Sequence, residues 1–377
     1  MRKIQMVDLH QQYLDLKSEI DPAMASVITD TAFINGAPVR EFAQQLASFL
    51  ELDHVIPCAN GTDALQLAMM GLNLRPGGEI IMPAFTYVAV VEVACLLGFK
   101  PVLVDVDPVN FNIDAAQAAA AVSDDTVALA VVHLFGQCAP MEELVALADR
   151  HQVAVIEDTA QSIGSRYHFT DGTSAPAGTV GTVGTTSFFP SKNLGCYGDG
   201  GAVMTRNASL GAIIKSIANH GQQTKYHYER VGVNSRLDTL QAAILSVKLP
   251  RLPAFGERRQ AAARYYDKAL HNLPLITPPA RMSYSDHVYH QYTLRVHDGQ
   301  RDQLREFLRA KEIPSMIYYP SPMHTQPAYE HLGYRRGDFP LAELLCEEVL
   351  SLPMHPELTE EQLAYITHHI TEFTRHG

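Results

Sequence analysis

No Cys-x-x-Cys pair, no run of basic residues and no long apolar stretch occurs in this chain of 377 residues. The five cysteines (Cys58, Cys95, Cys138, Cys196 and Cys346) are scattered and odd in number, which excludes a disulfide framework and a zinc site and argues for a reduced, intracellular protein. Lys and Arg total 29 against 41 Asp and Glu, a net charge of −12. So acidic a chain is not a general nucleic-acid binder, although a few arginines inside a cleft suffice for an anionic substrate. The longest apolar run, Val88 to Phe99, is broken by Glu92 and is too short to span a bilayer. Asp8, Asp15, Lys17 and Glu19 do not suit a signal peptide. A soluble cytoplasmic protein without a bound metal is the expectation. No G-x-G-x-x-G follows the first strand, which disfavours a nicotinamide dehydrogenase. The Gly-Thr-Val-Gly-Thr-Val-Gly-Thr run at 178–185 lacks the Gly-Lys-Ser/Thr ending of a phosphate loop, and residues 172–184 read as a surface excursion.

What is present is an alternation. Short apolar strands (Glu79–Met82, Val102–Val106, Val127–Val132, Val153–Glu157) are separated by helical stretches (Ala64–Leu72, Val88–Leu97, Ala115–Val122, Met141–Arg150). That spacing predicts an α/β fold with a parallel sheet covered on both faces. A helix fits Leu237–Leu249, Pro250 and Pro253 should break it, and another fits Arg258–Leu270. The texture then turns α+β. The domain boundary is placed near residue 250, giving a large domain at 1–250 and a small one at 251–377, with about the first 20 residues able to pack on the small domain.

Ligands of open α/β sheets sit beyond the carboxyl ends of the strands, and three segments put polar residues there. Cys58-Ala59-Asn60-Gly61-Thr62-Asp63 precedes a helix, and its glycine and free N–H groups suit an anion; the same residues also suit an ordinary helix cap. Glu157-Asp158-Thr159-Ala160-Gln161 ends a buried strand, so Asp158 can pair with a protonated heterocyclic nitrogen or serve as a turn residue. Ser187 leads to Phe188-Phe189-Pro190-Ser191-Lys192-Asn193-Leu194-Gly195, where Lys192 stands between packed aromatics and a glycine-rich loop, a setting for a lysine that loses its proton and attacks a carbonyl. Tyr87 follows another strand and can stack on a flat ring or pack in a core. A phosphate cradle, a carboxylate and a Schiff-base lysine in this order are the parts that hold pyridoxal 5'-phosphate.

On these segments the chain resembles the DegT/DnrJ/EryC1/StrS family of sugar-nucleotide aminotransferases. The likeness also takes in Phe33-Ile34-Asn35-Gly36, Asn219-His220-Gly221, Gly232-Val233-Asn234-Ser235-Arg236-Leu237-Asp238 and Ser351-Leu352-Pro353-Met354-His355-Pro356. It is similar to the branch that aminates the 3-keto carbon of a UDP- or dTDP-linked sugar, such as the UDP-2-acetamido-2-deoxy-3-oxo-glucuronate aminotransferases. The resemblance implies the fold type I (aspartate-aminotransferase-like) architecture, glutamate as amino donor, and a homodimer with shared sites. It implies Lys192 as Schiff-base lysine and proton shuttle, Asp158 on the pyridine nitrogen and Gln161 on the ring hydroxyl. Gly61, Thr62 and Ser187 would hold the phosphate, Tyr87 would cover the ring, and Asn234 would reach the phosphate from the neighbouring subunit. Arg236 and the Tyr318-Tyr319 pair match substrate positions, with Tyr318 where histidine is usual. Arg236 and Lys225 are candidates for the diphosphate. Sugar dehydratases of the same scaffold replace the lysine, and a non-catalytic regulator would have no need of the Lys192, Asp158 and Gln161 set.

Overall fold

The computed structural model describes residues 2–376. Residues 54–205 build one seven-stranded sheet in the order His54–Cys58, Gly201–Thr205, Val183–Ser187, Ala154–Asp158, Thr126–Val132, Glu79–Pro83, Lys100–Val104. From Val183–Ser187 outward to Lys100–Val104 neighbouring strands are parallel, whereas Gly201–Thr205 is antiparallel to both of its neighbours. The inner strands are apolar on both faces because helices cover both. Ile80, Met82, Ala130, Val132 and Ile156 pack with Leu65 and Leu67 of helix Gly61–Gly71. The alternate residues Ile81, Leu129, Val131 and Val155 pack with Leu144 and Leu147 of helix Met141–His151 on the other face. Cys58 and Ser187 both lie opposite Gly201, and Asp158 lies opposite Thr185, so three strand ends form one row.

A three-stranded antiparallel sheet follows, Ile276–Thr277, Tyr292–Val296 and Val349–Leu352. It is covered by Tyr266 and Leu270 of helix Leu252–Leu270, by Leu304 and Leu308 of helix Arg301–Ala310, and by Ile366 and Ile370 of helix Glu360–His376. Ile4 joins this core, Met354 N–H donates to Met6 O (3.2 Å), and Gln12 Nε2 donates to the Glu357 carboxylate (3.2 Å).

Three local expectations are corrected. The helix expected over Leu237–Leu249 runs Thr239–Lys248 and ends, as expected, before Pro250, in a 3₁₀ turn at Leu249–Arg251; the next helix, however, begins at Leu252 and not at Arg258, with Pro253 in its first turn, where a missing N–H leaves no bond unmade. Residues 172–184 are only partly a surface excursion. Ala177 and Thr179 are buried, and the amides of Gly178, Val180 and Gly181 donate to the buried Glu157 carboxylate at 2.9, 2.8 and 2.5 Å. The helix expected from Ala64 begins at Gly61, so the suspected anion cradle is its first turn. Among the described residues no helix is long and apolar enough to cross a membrane.

Candidate active site

The row of strand ends carries the polar residues. Beyond Cys58 the chain turns through Ala59 and Asn60 into the helix, and Asn60 Oδ1 accepts from Asp63 N (2.8 Å). Asn60 is thus the cap, while Gly61 and Thr62 open a helix whose first amides lie outside its own ladder. A Cβ on Gly61 would lie 2.7 Å from Ser187 Cβ and 3.2 Å from its Oγ, so glycine is what lets the helix start touch the strand end. Ser187 Oγ accepts from Phe189 N (3.3 Å), which leaves its proton to donate.

Asp158 is buried, and its carboxylate accepts one backbone bond, from Ala160 N (2.9 Å). Burial pushes its pKa up, against that hydrogen bond and the nearby Lys192 and His133. A buried carboxylate with one donor has lone pairs to spare and fits a cationic partner such as a protonated ring nitrogen. Its neighbour Glu157 points to the other face of the strand. There it takes the three amides named above and His133 Nε2 at 2.9 Å. His133 Nδ1 accepts from Ala139 N (3.0 Å), so Nε2 carries the proton to Glu157.

Lys192 lies in the turn after Val183–Ser187, its N–H donating to Phe189 O (2.8 Å). Burial lowers its pKa to about 8, with Asp158 pulling upward, and among the described residues its ammonium has no hydrogen-bond partner. The turn is tight, because a Cβ on Gly195 would lie 2.3 Å from Pro190 O. Lys248 is buried and also lowered to about 8, but its Nζ donates to Gly195 O (2.7 Å) and lies 4.6 Å over the Tyr197 ring. Lys248 props the turn, whereas the Lys192 amine has no such partner among the described residues.

Gln161 Oε1 accepts from Phe135 N (2.8 Å) and Nε2 donates to the Tyr319 hydroxyl (3.0 Å), leaving one amide hydrogen for a ligand. Tyr319 has Phe85, Tyr87 and Tyr318 around it at 6.1, 6.2 and 6.0 Å between ring centroids. Tyr87 is 53 % exposed, the open edge of this aromatic wall. Burial pushes the Tyr318 hydroxyl pKa up, with the nearby Gln291 side chain acting against it; the sequence reading missed Gln291. It also missed the His133–Glu157 pair and His290, whose Nδ1 lies 3.2 Å from Asn193 Oδ1. Asn193, next to the lysine, was the one available signal.

Gly61, Thr62, Ser187, Asp158, Gln161, Lys192, Tyr87 and the two tyrosines thus gather along one edge of the sheet and the loops packed on it. Asn234 and Arg236 do not join them within the protomer. Asn234 is exposed and bridges to Asn219, whose Oδ1 accepts from Arg236 Nη2 (3.1 Å). Arg236, Arg40 and Lys215 line a separate cleft of about 610 Å³ that neither Lys192 nor Asp158 lines. Lys225 is exposed on a short hairpin, 5.0 Å from the Tyr226 ring.

The family profile of the DegT/DnrJ/EryC1/StrS aminotransferases matches residues 14–371. The chain is 44 % identical to a "pleiotropic regulatory protein" of Geobacillus stearothermophilus over 99 % of both chains. It is 42 % identical to the UDP-2-acetamido-2-deoxy-3-oxo-D-glucuronate aminotransferase of Pseudomonas aeruginosa over 96 % of this chain and 98 % of that one. Among solved structures, S. venezuelae DesV is 37 % identical and superposes with a TM-score of 0.95 over 99 % of both chains. NtdA of Bacillus subtilis, solved with bound cofactor PMP, is 28 % identical with a TM-score of 0.87 over 96 % of this chain and 82 % of that one.

Proposed function

This chain belongs to the DegT/DnrJ/EryC1/StrS aminotransferase family, and on that footing we propose that it moves an amino group from glutamate to the keto carbon of a UDP- or dTDP-linked 3-keto sugar. Its cofactor is pyridoxal 5'-phosphate, which when bound supplies an electron sink for the carbanion formed beside the transferred nitrogen. Lys192 is the amine that holds the cofactor carbonyl and, once released, takes and returns the proton at Nζ; a pKa lowered to about 8 leaves roughly a fifth of it neutral near physiological pH, against on the order of a thousandth for an ordinary lysine. Asp158 holds a proton on the ring nitrogen. The first-turn amides of Gly61 and Thr62, with the Ser187 hydroxyl, cradle the phosphate. Gln161 donates its remaining amide hydrogen to the ring hydroxyl, and Tyr87 covers one face.

Asn234 and Arg236 serve the site of a second copy of the chain in a homodimer. Asn234 is exposed and Arg236 half-buried in a cleft that Lys192 does not line, with the exposed Phe33, Ile34 and Val231 on the same surface, which supports a shared site. Arg236 and the Tyr318-Tyr319 pair select the sugar. The protein acts in the cytoplasm on precursors of polysaccharides such as lipopolysaccharide O-antigen, and its two domains divide near residue 250. The observation that carries the catalytic reading is the half-buried, unbonded Lys192 beside the buried Asp158.

The name of the Geobacillus stearothermophilus relative, a pleiotropic regulatory protein, favours a second reading, a regulator that binds cofactor or sugar as a signal. The absorption spectrum separates the two. A yellow protein bleached by glutamate, followed by amination of UDP- or dTDP-linked 3-keto sugars in a mass-spectrometric panel, supports the transaminase. A yellow colour that resists every amino donor supports the regulator or a dehydratase.

A further inference from the structure

Lys192 and the residue after it differ in how they are held. Asn193 is buried and engaged at both ends of its amide. Its Nδ2 donates to Val288 O (3.1 Å), which turns Oδ1 toward His290 Nδ1 at 3.2 Å. An amide oxygen only accepts, so His290 Nδ1 carries the proton and Nε2 keeps its lone pair. The segment bearing the histidine is clamped from the other side. Val288 N donates to Gly136 O (2.8 Å), and the buried Arg259 donates to Tyr289 O (3.0 Å) and Met354 O (2.8 Å). Gly136 has φ 106°, and a Cβ there would lie 2.8 Å from the amide nitrogens of Tyr289 and His290, so the two backbones touch without a side chain between them. The segment 288–291 is therefore the fixed side, and the lysine turn is the side that is held.

We propose that His290 is a positioning residue for Lys192: its Nδ1–H bond to Asn193 holds the lysine turn against the segment 288–291 and keeps the amine out of bulk water. The inference rests on Lys192 being the reacting amine. The charged groups bearing on this joint are Asp158 at the sheet edge, Arg259 on the helix behind, and Lys192 itself. Burial, then Lys192 and Arg259, push the His290 pKa well below the usual value, so the ring is neutral and keeps one tautomer through the working range. Without the bond, Asn193 Oδ1 is left unpaired in a buried place and the turn relaxes toward water. The lysine then regains proton affinity, because desolvation is what lowered it.

The test uses the full-length protein saturated with pyridoxamine phosphate, in which the lysine is not covalently engaged. Lys192 is titrated by competitive acetic anhydride labelling, read on its peptide by mass spectrometry across pH, with thermal unfolding recorded for each variant. His290→Leu should raise the apparent pKa of Lys192 by about one unit, cutting its labelling at pH 8 about fivefold. His290→Asn, which puts an amide N–H near the place of Nδ1, should restore labelling to within about twofold of wild type. Asn193→Ala should reproduce the shift, and the double variant should add nothing to it. If His290→Leu does not fold, Asn193→Ala and His290→Asn decide. A Lys192 titration unchanged in the folded variants overturns the proposal, even if their melting temperatures fall. A wild-type Lys192 that titrates near 10.5 sinks the reading of Lys192 as the reacting amine, and the proposal with it.

Discussion

Gly61→Ala sets two effects against each other at the suspected phosphate cradle. Gly61 opens a helix, and alanine is the better helix former by up to about 1 kcal/mol in a helix interior, less in the first turn. The backbone there needs no left-handed conformation, so alanine is allowed locally. Its methyl, however, would lie 2.7 Å from Ser187 Cβ, roughly 1 Å inside a normal carbon–carbon contact of about 3.5–4.0 Å. The obstacle is the root of a strand residue, not the tip of a flexible side chain, so the helix start and the strand end must separate. Overpacking of this kind costs about 1–3 kcal/mol, which exceeds the helix gain and leaves the variant about 1–2 kcal/mol less stable. Separation also splits Gly61 and Thr62 from the Ser187 hydroxyl, so affinity for pyridoxal phosphate should fall at least tenfold, about 1.4 kcal/mol or more. The assay is thermal unfolding with and without cofactor, together with a fluorescence titration of the cofactor. Gly61→Ala combined with Ser187→Gly removes the obstructing Cβ, and should recover the stability of the cofactor-free protein but not the affinity. Wild-type melting and wild-type affinity in Gly61→Ala would refute both the steric argument and the placing of the phosphate.

Asp158→Asn should still bind pyridoxal phosphate but lose most of the glutamate half-reaction, because an amide cannot keep the ring nitrogen protonated; equal stopped-flow absorbance rates in variant and wild type would refute the assignment. Cofactor capture by the stripped protein needs neutral Lys192, so its rate should climb as pH rises toward 8 and level off above it, the sign set by a pKa lowered to about 8; a profile still climbing at pH 10 would contradict the lowered value. Mixed dimers of Asn234→Ala and Lys192→Ala chains should regain part of the activity, since one of the two sites carries neither lesion; confirmed heterodimers without activity would count against a shared site. Tyr318→His should raise kcat/KM on a uronic-acid substrate relative to a neutral 3-keto sugar, and Arg236→Lys should lower it on the former, because lysine cannot copy a bidentate contact; a ratio that neither change moves would show that these residues do not choose the sugar.

The order of segments along the chain was enough to name the fold and the family and to single out a candidate lysine, because each depends on residues close together in sequence. Apolar strands spaced by helical stretches dictate a covered parallel sheet, and the glycine before the first of those helices is legible as a place where backbone comes close to something. Contacts across long separations were not legible. Glu157 and Asp158 are adjacent carboxylates on one strand, and only the pleat in its packed setting turns one toward His133 and the glycine-rich loop and the other toward Lys192. Lys192 and Lys248 are both shifted by desolvation to about 8, yet the packing of helix Thr239–Lys248 under the turn ties the buried Lys248 to Gly195 O and leaves the half-buried Lys192 unbonded. The glycine-rich run at 178–185 looked like solvent-facing loop because its composition is that of one, but three of its amides close on a carboxylate more than twenty residues earlier. His290 carries no local mark, and its bond to Asn193 exists because Arg259 and Gly136 fix the backbone it stands on. Local pattern settles which elements form, since helix and strand are decided by neighbouring residues; which buried polar group meets which partner is settled only when those elements pack, because that is when water is excluded and each donor and acceptor must find its match.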